Sequence, residues 1–130
     1  MLTVKIEKDY ADALNEMGIE TKDGIYVMAM RDKELLMGVG IMTLFDDFAS
    51  LDSICMKEEF KGFDLEFGMG KSMLNFIDLR GIRYVSTNIK NERLTTALRF
   101  KPLAESENFD KIQGDWLYCL NLEGYFTSNC

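Results

Sequence analysis

The chain has 130 residues, of which 47% are hydrophobic and 28% charged, and its net charge at pH 7 is -7. This length and apolar fraction suit one globular domain over residues 1–130 and exclude a disordered chain. The acidic balance argues against a nucleic-acid partner, which needs a clustered basic surface, and favours a cationic substrate such as an amine.

The lack of histidine and the pattern of cysteines restrict the chemistry further. Without imidazole the chain has no Ser-His or Cys-His pair, so a proton must move through another side chain or water. The three cysteines, Cys55, Cys119 and Cys130, show no CxxC spacing, and we expect neither a disulfide framework nor a metal site. No signal-peptide pattern and no apolar run of about 20 residues occurs, so we expect a cytoplasmic protein without membrane contact.

The first half of the chain has the pattern of a strand, a helix and a β-hairpin. Apolar residues recur at helical spacing from Tyr10 to Met17, and Gly18 follows them, as at a helix that ends on glycine. Two apolar runs then flank a polar stretch, which predicts a hairpin. The predicted ranges are 2–6 for the strand, 9–17 for the helix, and 25–30 and 35–45 for the hairpin.

The second half alternates strands and helices. We predict a strand over 50–56, a helix over 71–80, a strand over 82–89, a helix over 91–98 capped by Asn91, and strands from 100 and over 116–122. Alternation along the strand over 50–56 places Leu51, Ser53 and Cys55 on one face and Asp52, Ile54 and Met56 on the other. The crossover from 50 to 89 makes its two strands parallel neighbours in an otherwise antiparallel sheet.

A glycine-rich segment stands directly before the second predicted helix. It reads Phe67-Gly68-Met69-Gly70-Lys71-Ser72. Glycines at a helix start let the backbone approach an anion, and the free N–H groups and the helix dipole attract negative charge. Lys71 and Ser72 add two polar side chains. The segment therefore predicts a site for a phosphate or pyrophosphate.

Two nucleotide-binding motifs compete for this segment, and both are incomplete. Gly70-Lys71-Ser72 matches the end of a Walker A motif, but Leu65 stands where its first glycine belongs. Gly68-Met69-Gly70 matches the start of a dinucleotide fingerprint, but Met73 replaces its third glycine. We therefore disfavour both motifs.

The whole region resembles the GCN5-related N-acetyltransferase (GNAT) superfamily. In that family an apolar strand leads into an acidic-aromatic-basic-Gly turn, a glycine loop, a helix, a further strand and a helix that starts with Asn. The matching residues are Leu51, Ile54 and Met56, then Glu59-Phe60-Lys61-Gly62, Leu65 to Gly70, Ile82-Arg83-Tyr84-Val85, and Asn91 to Phe100. The likeness covers roughly residues 24 to 122.

The resemblance implies a fold, a cosubstrate and a reaction. The fold is α/β (α+β), a mixed and mostly antiparallel sheet with a parallel splayed strand pair and flanking helices. The cosubstrate is acetyl-CoA, whose pantetheine arm pairs with the strand at Ile54, Cys55 and Met56. The pyrophosphate lies on the loop and helix at Phe67, Gly68, Met69, Gly70, Lys71 and Ser72, and Asn91 also contacts the cofactor. The acetyl group passes directly to the amine of a small molecule or peptide.

The amine must lose its proton, and a carboxylate acting through water is the expected base because histidine is absent. We favour Asp52 as that base, with Glu58 as the alternative.

The sequence also departs from the family pattern. Leu65 replaces a Gln or Arg, and no Tyr lies near Leu98, where many members place the acid that protonates the thiolate. A second hypothesis is therefore a non-catalytic GNAT-fold module that binds acyl-CoA or dimerises. A homodimer is also expected from the sheet edge and from the apolar tail 122–126.

Overall fold

The structure is a computed structural model that describes residues 1–103, 112 and 114–126. It contains one sheet of seven strands in the order β1-β2-β3-β4-β5-β7-β6. The strands are β1 (Leu2–Ile6), β2 (Tyr26–Asp32), β3 (Leu35–Leu44), β4 (Phe48–Met56), β5 (Tyr84–Thr87), β6 (Lys101–Pro102) and β7 (Tyr118–Asn121). The helices are α1 (Ala11–Glu16), α2 (Phe63–Leu79) and α3 (Glu92–Ala97), with a short 3₁₀ turn at Glu58–Phe60.

All described strand pairs are antiparallel except β4 and β5, which are parallel over Phe48–Leu51 and Tyr84–Thr87. Helix α2 forms the crossover between them, as a parallel connection requires. The polar stretch between β2 and β3 makes a tight turn with Lys33 at φ 57°. The predicted fold class, element order and parallel pair are confirmed.

Apolar residues cover both faces of the sheet. On one face, α2 packs Met73, Leu74 and Ile77 against strand residues that include Met42 and Leu51. On the other face, α1 packs Ala13 and Leu14 against a smaller group formed by Ile25, Val27, Ala29, Leu36, Val39 and Ile41. We call these the α2 face and the α1 face. Helices on two faces bury a sheet that one helix could not cover.

Helix α2 begins at Phe63, so the prediction that it begins at Lys71 is wrong. Asp64 and Glu66 lie in its first turn, where acidic side chains complement the helix dipole. The misleading signal was the pair Gly68 and Gly70, because glycine disfavours a helix interior by about 1 kcal/mol relative to alanine. Both glycines nevertheless lie inside α2, and the segment before it is shorter than predicted.

The predicted faces of β4 are also partly wrong, because the strand contains a β-bulge. Ile41 pairs with Ser53 and Met42 pairs with Leu51, so Asp52 is an extra residue on β4. Beyond the bulge the alternation shifts by one position. Leu51 consequently shares the α2 face with Ile54 and Met56, whereas Cys55 packs on the α1 face.

Two residues of the apolar tail at 122–126 are packed within their own chain. Leu122 is fully buried and Tyr125 is 6% exposed within their own chain. Leu122 donates its N–H to the Arg83 carbonyl at 2.7 Å, which fixes the tail beside the start of β5. These two side chains therefore do not offer a surface to a second subunit.

Among the described residues, no helix is long and apolar enough to span a bilayer.

Candidate functional site

The strands β4 and β5 separate at the end of their parallel pairing. Their ladder ends where Leu51 faces Thr87. β4 continues to Met56 beside β3, whereas β5 ends at Thr87. We call the opening beside the last part of β4 the β4–β5 gap.

The backbone of β4 supplies hydrogen-bonding groups to this gap. The Lys57 N–H donates to the Met37 carbonyl at 2.9 Å, so position 57 faces β3. Because backbone groups of an antiparallel strand alternate in direction, Cys55 and Ser53 also face β3, and Ile54 and Met56 face the gap. An extended ligand arm lying in the gap can pair with Ile54 and Met56 as a further strand would.

Cys55 is the exception among the three predicted contacts on β4. Its backbone faces β3 by the same alternation, and its half-buried side chain packs with the α1-face group that includes Val39. The side chains of Ile54 and Met56 pack on the α2 face instead. The structure therefore brings two of the three predicted β4 residues to the gap through their backbone.

A cavity of about 400 Å³ lies at the start of α2, lined by residues 59–65 and Arg93. We call it the α2 cavity. The first helical bond of α2 runs from the Glu66 N–H to the Gly62 carbonyl at 3.2 Å, so the N–H groups of residues 63–65 precede the helical ladder. These donors and the positive end of the helix dipole make the cavity suitable for an anion.

Two cations, Lys61 and Arg93, and two carboxylates, Glu59 and Asp64, line the α2 cavity. The Arg93 guanidinium lies 4.1 Å from the ring centroid of Phe63, and Lys61 pairs with Glu58 at 3.1 Å. The cationic side chains can contact an anionic ligand, whereas Asp64 opposes its charge.

Asn91 joins the starts of α3 and α2. Its Oδ1 accepts the Leu94 N–H at 3.2 Å, as an N-cap does, and its Nδ2 donates to Glu66 Oε1 at 3.4 Å. The predicted cap is therefore present. Asn91 is not among the residues that line the α2 cavity, and its side chain contacts the Glu66 carboxylate in the first turn of α2.

The predicted phosphate loop at Phe67–Ser72 is part of helix α2 rather than a loop. The N–H groups of these residues lie within the helical ladder and are not free for an anion. Met69 and Gly70 are buried, and Gly68 and Ser72 are half-buried. The N–H groups that precede the helical ladder, those of residues 63–65, lie about one turn earlier. Nothing in the structure explains why position 68 is glycine.

Lys71 lies among aromatic rings, about two turns into α2. Its Nζ is 4.4 Å from the ring centroid of Tyr125 and 5.2 Å from that of Phe126. Arg99 lies 4.7 Å from the same Tyr125 ring. Burial lowers the pKa of Lys71, and the charge of Arg99 lowers it further. The Lys71 amine therefore points to the rings of Tyr125 and Phe126 and not to the start of α2.

Tyr125 occupies a place beside Leu98 that the sequence could not show. Its hydroxyl donates to the Leu98 carbonyl at 2.9 Å. Burial raises the pKa of Tyr125, and Arg99 partly opposes that rise. The tail that carries Tyr125 is bonded to Arg83, just before β5, whereas the gap opens where β5 ends. The Tyr125 hydroxyl therefore anchors the tail to the end of α3, where Leu98 is the C-cap.

The two candidate bases lie in different places. Asp52 sits in the bulge at the inner end of the gap, and its carboxylate accepts bonds from the hydroxyls of Thr43 and Ser50, each at 2.6 Å. Both hydroxyls belong to the α1 face, since their strand neighbours Met42 and Leu51 pack on the α2 face. Glu58 is exposed in the 3₁₀ turn at the outer end, paired with Lys61.

Two residues that the sequence pattern did not indicate hold the end of β5. The Thr87 hydroxyl donates to the Leu51 carbonyl at 2.7 Å and accepts the Ile89 N–H at 3.1 Å. The Asn88 side chain accepts the Leu117 N–H at 2.7 Å and donates to the Asp115 carbonyl at 3.1 Å. Short polar side chains at a strand end are the one signal available, because they bond readily to nearby backbone.

Among the described residues, no group of three or more acidic or cysteine side chains could hold a metal ion.

In fold, the chain is similar to acetyltransferases of known structure. A GNAT family acetyltransferase from Elizabethkingia anophelis with acetyl-CoA bound matches with a TM-score of 0.66 and 10% identity, over 93% of this chain and 98% of that one. The spermidine/spermine N-acetyltransferase from Vibrio cholerae matches with a TM-score of 0.72 and 10% identity, over 98% of each chain. The paia N-acetyltransferase from Thermoplasma acidophilum in complex with coenzyme A gives 0.63 and 11%, over 92% and 99%.

Comparison by sequence finds no relative of this chain. No protein-family model matches the chain, and no curated protein matches it. At about 10% identity the structural likenesses show the fold alone.

Proposed function

From the GNAT fold of this chain, we propose that it binds acetyl-CoA and transfers the acetyl group to an amine. The observation that carries the proposal is the β4–β5 gap, which opens beside the anion-suited α2 cavity. An extended arm with a charged end fits this combination, and acetyl-CoA has both parts. The GNAT family structure from Elizabethkingia anophelis has acetyl-CoA bound.

The proposed cofactor position follows from the donors. The pyrophosphate lies in the α2 cavity on the N–H groups of residues 63–65, with Arg93 and Lys61 beside it. The pantetheine arm enters the gap and pairs with the backbone of Ile54 and Met56. The proposed phosphate contacts are the N–H groups of residues 63–65 in the first turn of α2, in place of the predicted contacts within Phe67–Ser72.

The proposed reaction is a direct transfer. The nitrogen of a neutral amine attacks the thioester carbonyl, the carbon–sulfur bond breaks, and the CoA thiolate leaves and takes a proton from solvent. Asp52 accepts the amine proton through a water, because it lies at the inner end of the gap. The hydroxyls of Thr43 and Ser50 fix the orientation of its carboxylate. The chain's net charge of -7 favours the approach of a cationic amine, from a small molecule or a peptide.

A second candidate is a GNAT-fold module without catalytic activity. Glu59 and Asp64 line the α2 cavity, and Glu66 accepts the Gly62 N–H at 3.3 Å, so three carboxylates stand at or beside the proposed phosphate site. Like charges there weaken the binding of a pyrophosphate. A module of this kind would bind CoA weakly and release no thiol.

Two measurements test the proposal and separate it from the second candidate. Isothermal titration with acetyl-CoA, CoA and ATP reports binding, and we expect the two CoA ligands to bind and ATP not to bind. A thiol-release assay with a panel of amines then reports transfer. Binding of CoA without thiol release from any amine would favour the non-catalytic module, and binding of ATP alone would contradict both candidates.

The proposed homodimer rests on the open edge of the sheet rather than on the tail. β1 is at one end of the strand order, and its first residue, Leu2, is 48% exposed. Light scattering at micromolar concentration measures the mass directly. A monomeric mass would remove this proposal.

A further inference from the structure

A side-chain hydrogen bond lies at the end of the parallel ladder of β4 and β5. The Thr87 hydroxyl donates to the carbonyl of Leu51, the last residue of β4 that is paired with β5. The same oxygen accepts the N–H of Ile89, the second residue after β5 ends. Thr87 is fully buried, so neither bond exchanges readily with water.

This arrangement makes the chain leave the sheet at Thr87. A carbonyl that faces a neighbouring strand needs a donor, and the Thr87 hydroxyl supplies one to Leu51 from the strand end. The Ile89 N–H turns back to the same hydroxyl, which is a local bond that competes with strand pairing. The following side chain, Asn88, is bonded to the backbone of residues 115 and 117. The segment after β5 is thereby drawn toward β7 and away from β4.

We infer that Thr87 is a positioning residue: its hydroxyl ties β5 to β4 at Leu51 and, by accepting the Ile89 N–H, turns the following chain away from the rest of β4. Ile54 and Met56 thereby stay open to the cofactor arm. The inference rests on the proposed function for its ligand. Its structural part, the turn of the chain away from β4, stands on the hydrogen bonds alone.

The central test replaces Thr87 with valine, which has nearly the same shape but no hydroxyl. We expect the affinity for CoA to fall about tenfold, as the loss of one or two buried hydrogen bonds implies. In the free protein we expect the Ile89 amide to exchange hydrogen faster and the backbone resonances of Ile54 and Met56 to shift. Thr87→Ser keeps the hydroxyl and should retain the affinity.

Two matched controls lie nearby. Ser86→Ala removes the hydroxyl of the preceding buried residue, which makes a longer bond of 3.5 Å to the Ala49 carbonyl inside the parallel pairing. Thr95→Val removes another buried threonine hydroxyl, on α3, which bonds to the Glu92 carbonyl at 3.3 Å. We expect both controls to bind CoA like the original chain.

The outcomes separate this inference from the proposed function. If the original chain binds CoA and Thr87→Val binds it equally well, the positioning role is wrong. If the resonances of Ile54 and Met56 and the exchange of Ile89 are unchanged in Thr87→Val, the inference fails whatever CoA does. If the original chain does not bind CoA, the proposed function fails, and the NMR measurements still decide whether Thr87 turns the chain away from the rest of β4. If Thr87→Val does not fold, Asn88→Ala removes the second tie at an exposed position, and the resonances of Ile54 and Met56 should differ from those of the original chain. Unchanged resonances would then overturn the inference.

Discussion

A Cβ atom at position 70 would lie 2.7 Å from Cδ1 of Leu98, closer than non-bonded carbon atoms approach. Gly70 on α2 and Leu98 at the end of α3 therefore set the distance between the two helices. Gly68, two positions before Gly70, would place a Cβ atom in open space. Of the two glycines in the predicted phosphate segment, Gly70 is therefore required by helix packing, whereas Gly68 is not.

We expect Gly70→Ala to leave the stability unchanged or to lower it by up to about 2 kcal/mol. Overpacking against the buried Leu98 side chain costs about 1–3 kcal/mol, and alanine inside a helix is favoured over glycine by about 1 kcal/mol. Gly68→Ala should stabilise the fold by about 0.5–1 kcal/mol, since alanine favours a helix interior. Urea unfolding of both variants measures the difference. Neither variant should lose CoA affinity if the anion site lies at residues 63–65, and a selective loss in Gly68→Ala would return the site to the glycine segment.

The Arg93 side chain is the cation that α3 contributes to the α2 cavity. We expect Arg93→Ala to weaken CoA binding about tenfold or more, because a charge-assisted hydrogen bond to a phosphate is lost. Arg80→Ala is the matched control, because Arg80 also lies over an aromatic ring, 4.5 Å from Phe76, at the other end of α2. Titration calorimetry at two salt concentrations measures both variants. Equal affinities in the two variants would place the phosphates elsewhere.

Asp52→Asn tests the proposed base. We expect the transfer rate to fall about 10²–10⁴-fold with little change in CoA affinity, because the carboxylate acts on the amine and not on the phosphates. The variant should also need a higher pH, where more of the amine is already neutral. Glu58→Gln is the comparison at the outer end of the gap. If both variants transfer at the original rate, the amine loses its proton to bulk water.

Tyr125→Phe distinguishes an anchoring tyrosine from an acid catalyst. The change leaves the Leu98 carbonyl without its buried donor and should cost about 1–3 kcal/mol of stability. Tyr10→Phe removes a bond of the same kind and the same 2.9 Å length at an exposed site, to the Lys22 carbonyl, and should cost less. We expect thiol release to be unchanged in Tyr125→Phe at a temperature where it is folded. A selective loss of rate would assign Tyr125 to the reaction.

The pair of Lys71 and Arg99 predicts a dependence of stability on pH. The pKa of Lys71 is lowered from its ordinary 10.5 by burial and by Arg99. Between the lowered pKa and 10.5 the unfolded chain binds more protons at this residue, so its contribution to the free energy of unfolding rises with pH. Arg99→Gln should raise the pKa of Lys71 and flatten that rise.

An NMR titration of the Lys71 side chain in both proteins measures this effect directly. Residue-specific detection is needed because Tyr125 acts in the opposite direction. Its pKa is raised in the folded chain, so its contribution to the free energy of unfolding falls as pH rises from its ordinary pKa to the raised one. An identical Lys71 titration in the two proteins would show that Arg99 does not act on it.

The sequence by itself determined the elements and their order. Periodicity located the hairpin, the parallel crossover and the Asn91 cap, because each depends on neighbours within a few residues. Resemblance in the region around β4 then indicated the GNAT fold, which the structure shows. Gly68 and Gly70 misled the placement of α2, since a glycine required by a distant side chain looks the same in sequence as a glycine required by a loop.

Tertiary structure alone decided which residues meet. The bulge at Asp52 depends on pairing with β3 and reverses the face of the strand before it. Arg93 lies at the start of α2, Tyr125 bonds to Leu98, and Thr87 bonds to Leu51. The residues of each contact are far apart along the chain, so no periodic pattern in a single sequence indicates that they meet. Hydrogen bonds and contacts of this kind form only when the sheet has brought the segments together, so the geometry of the candidate site could not be derived from local pattern.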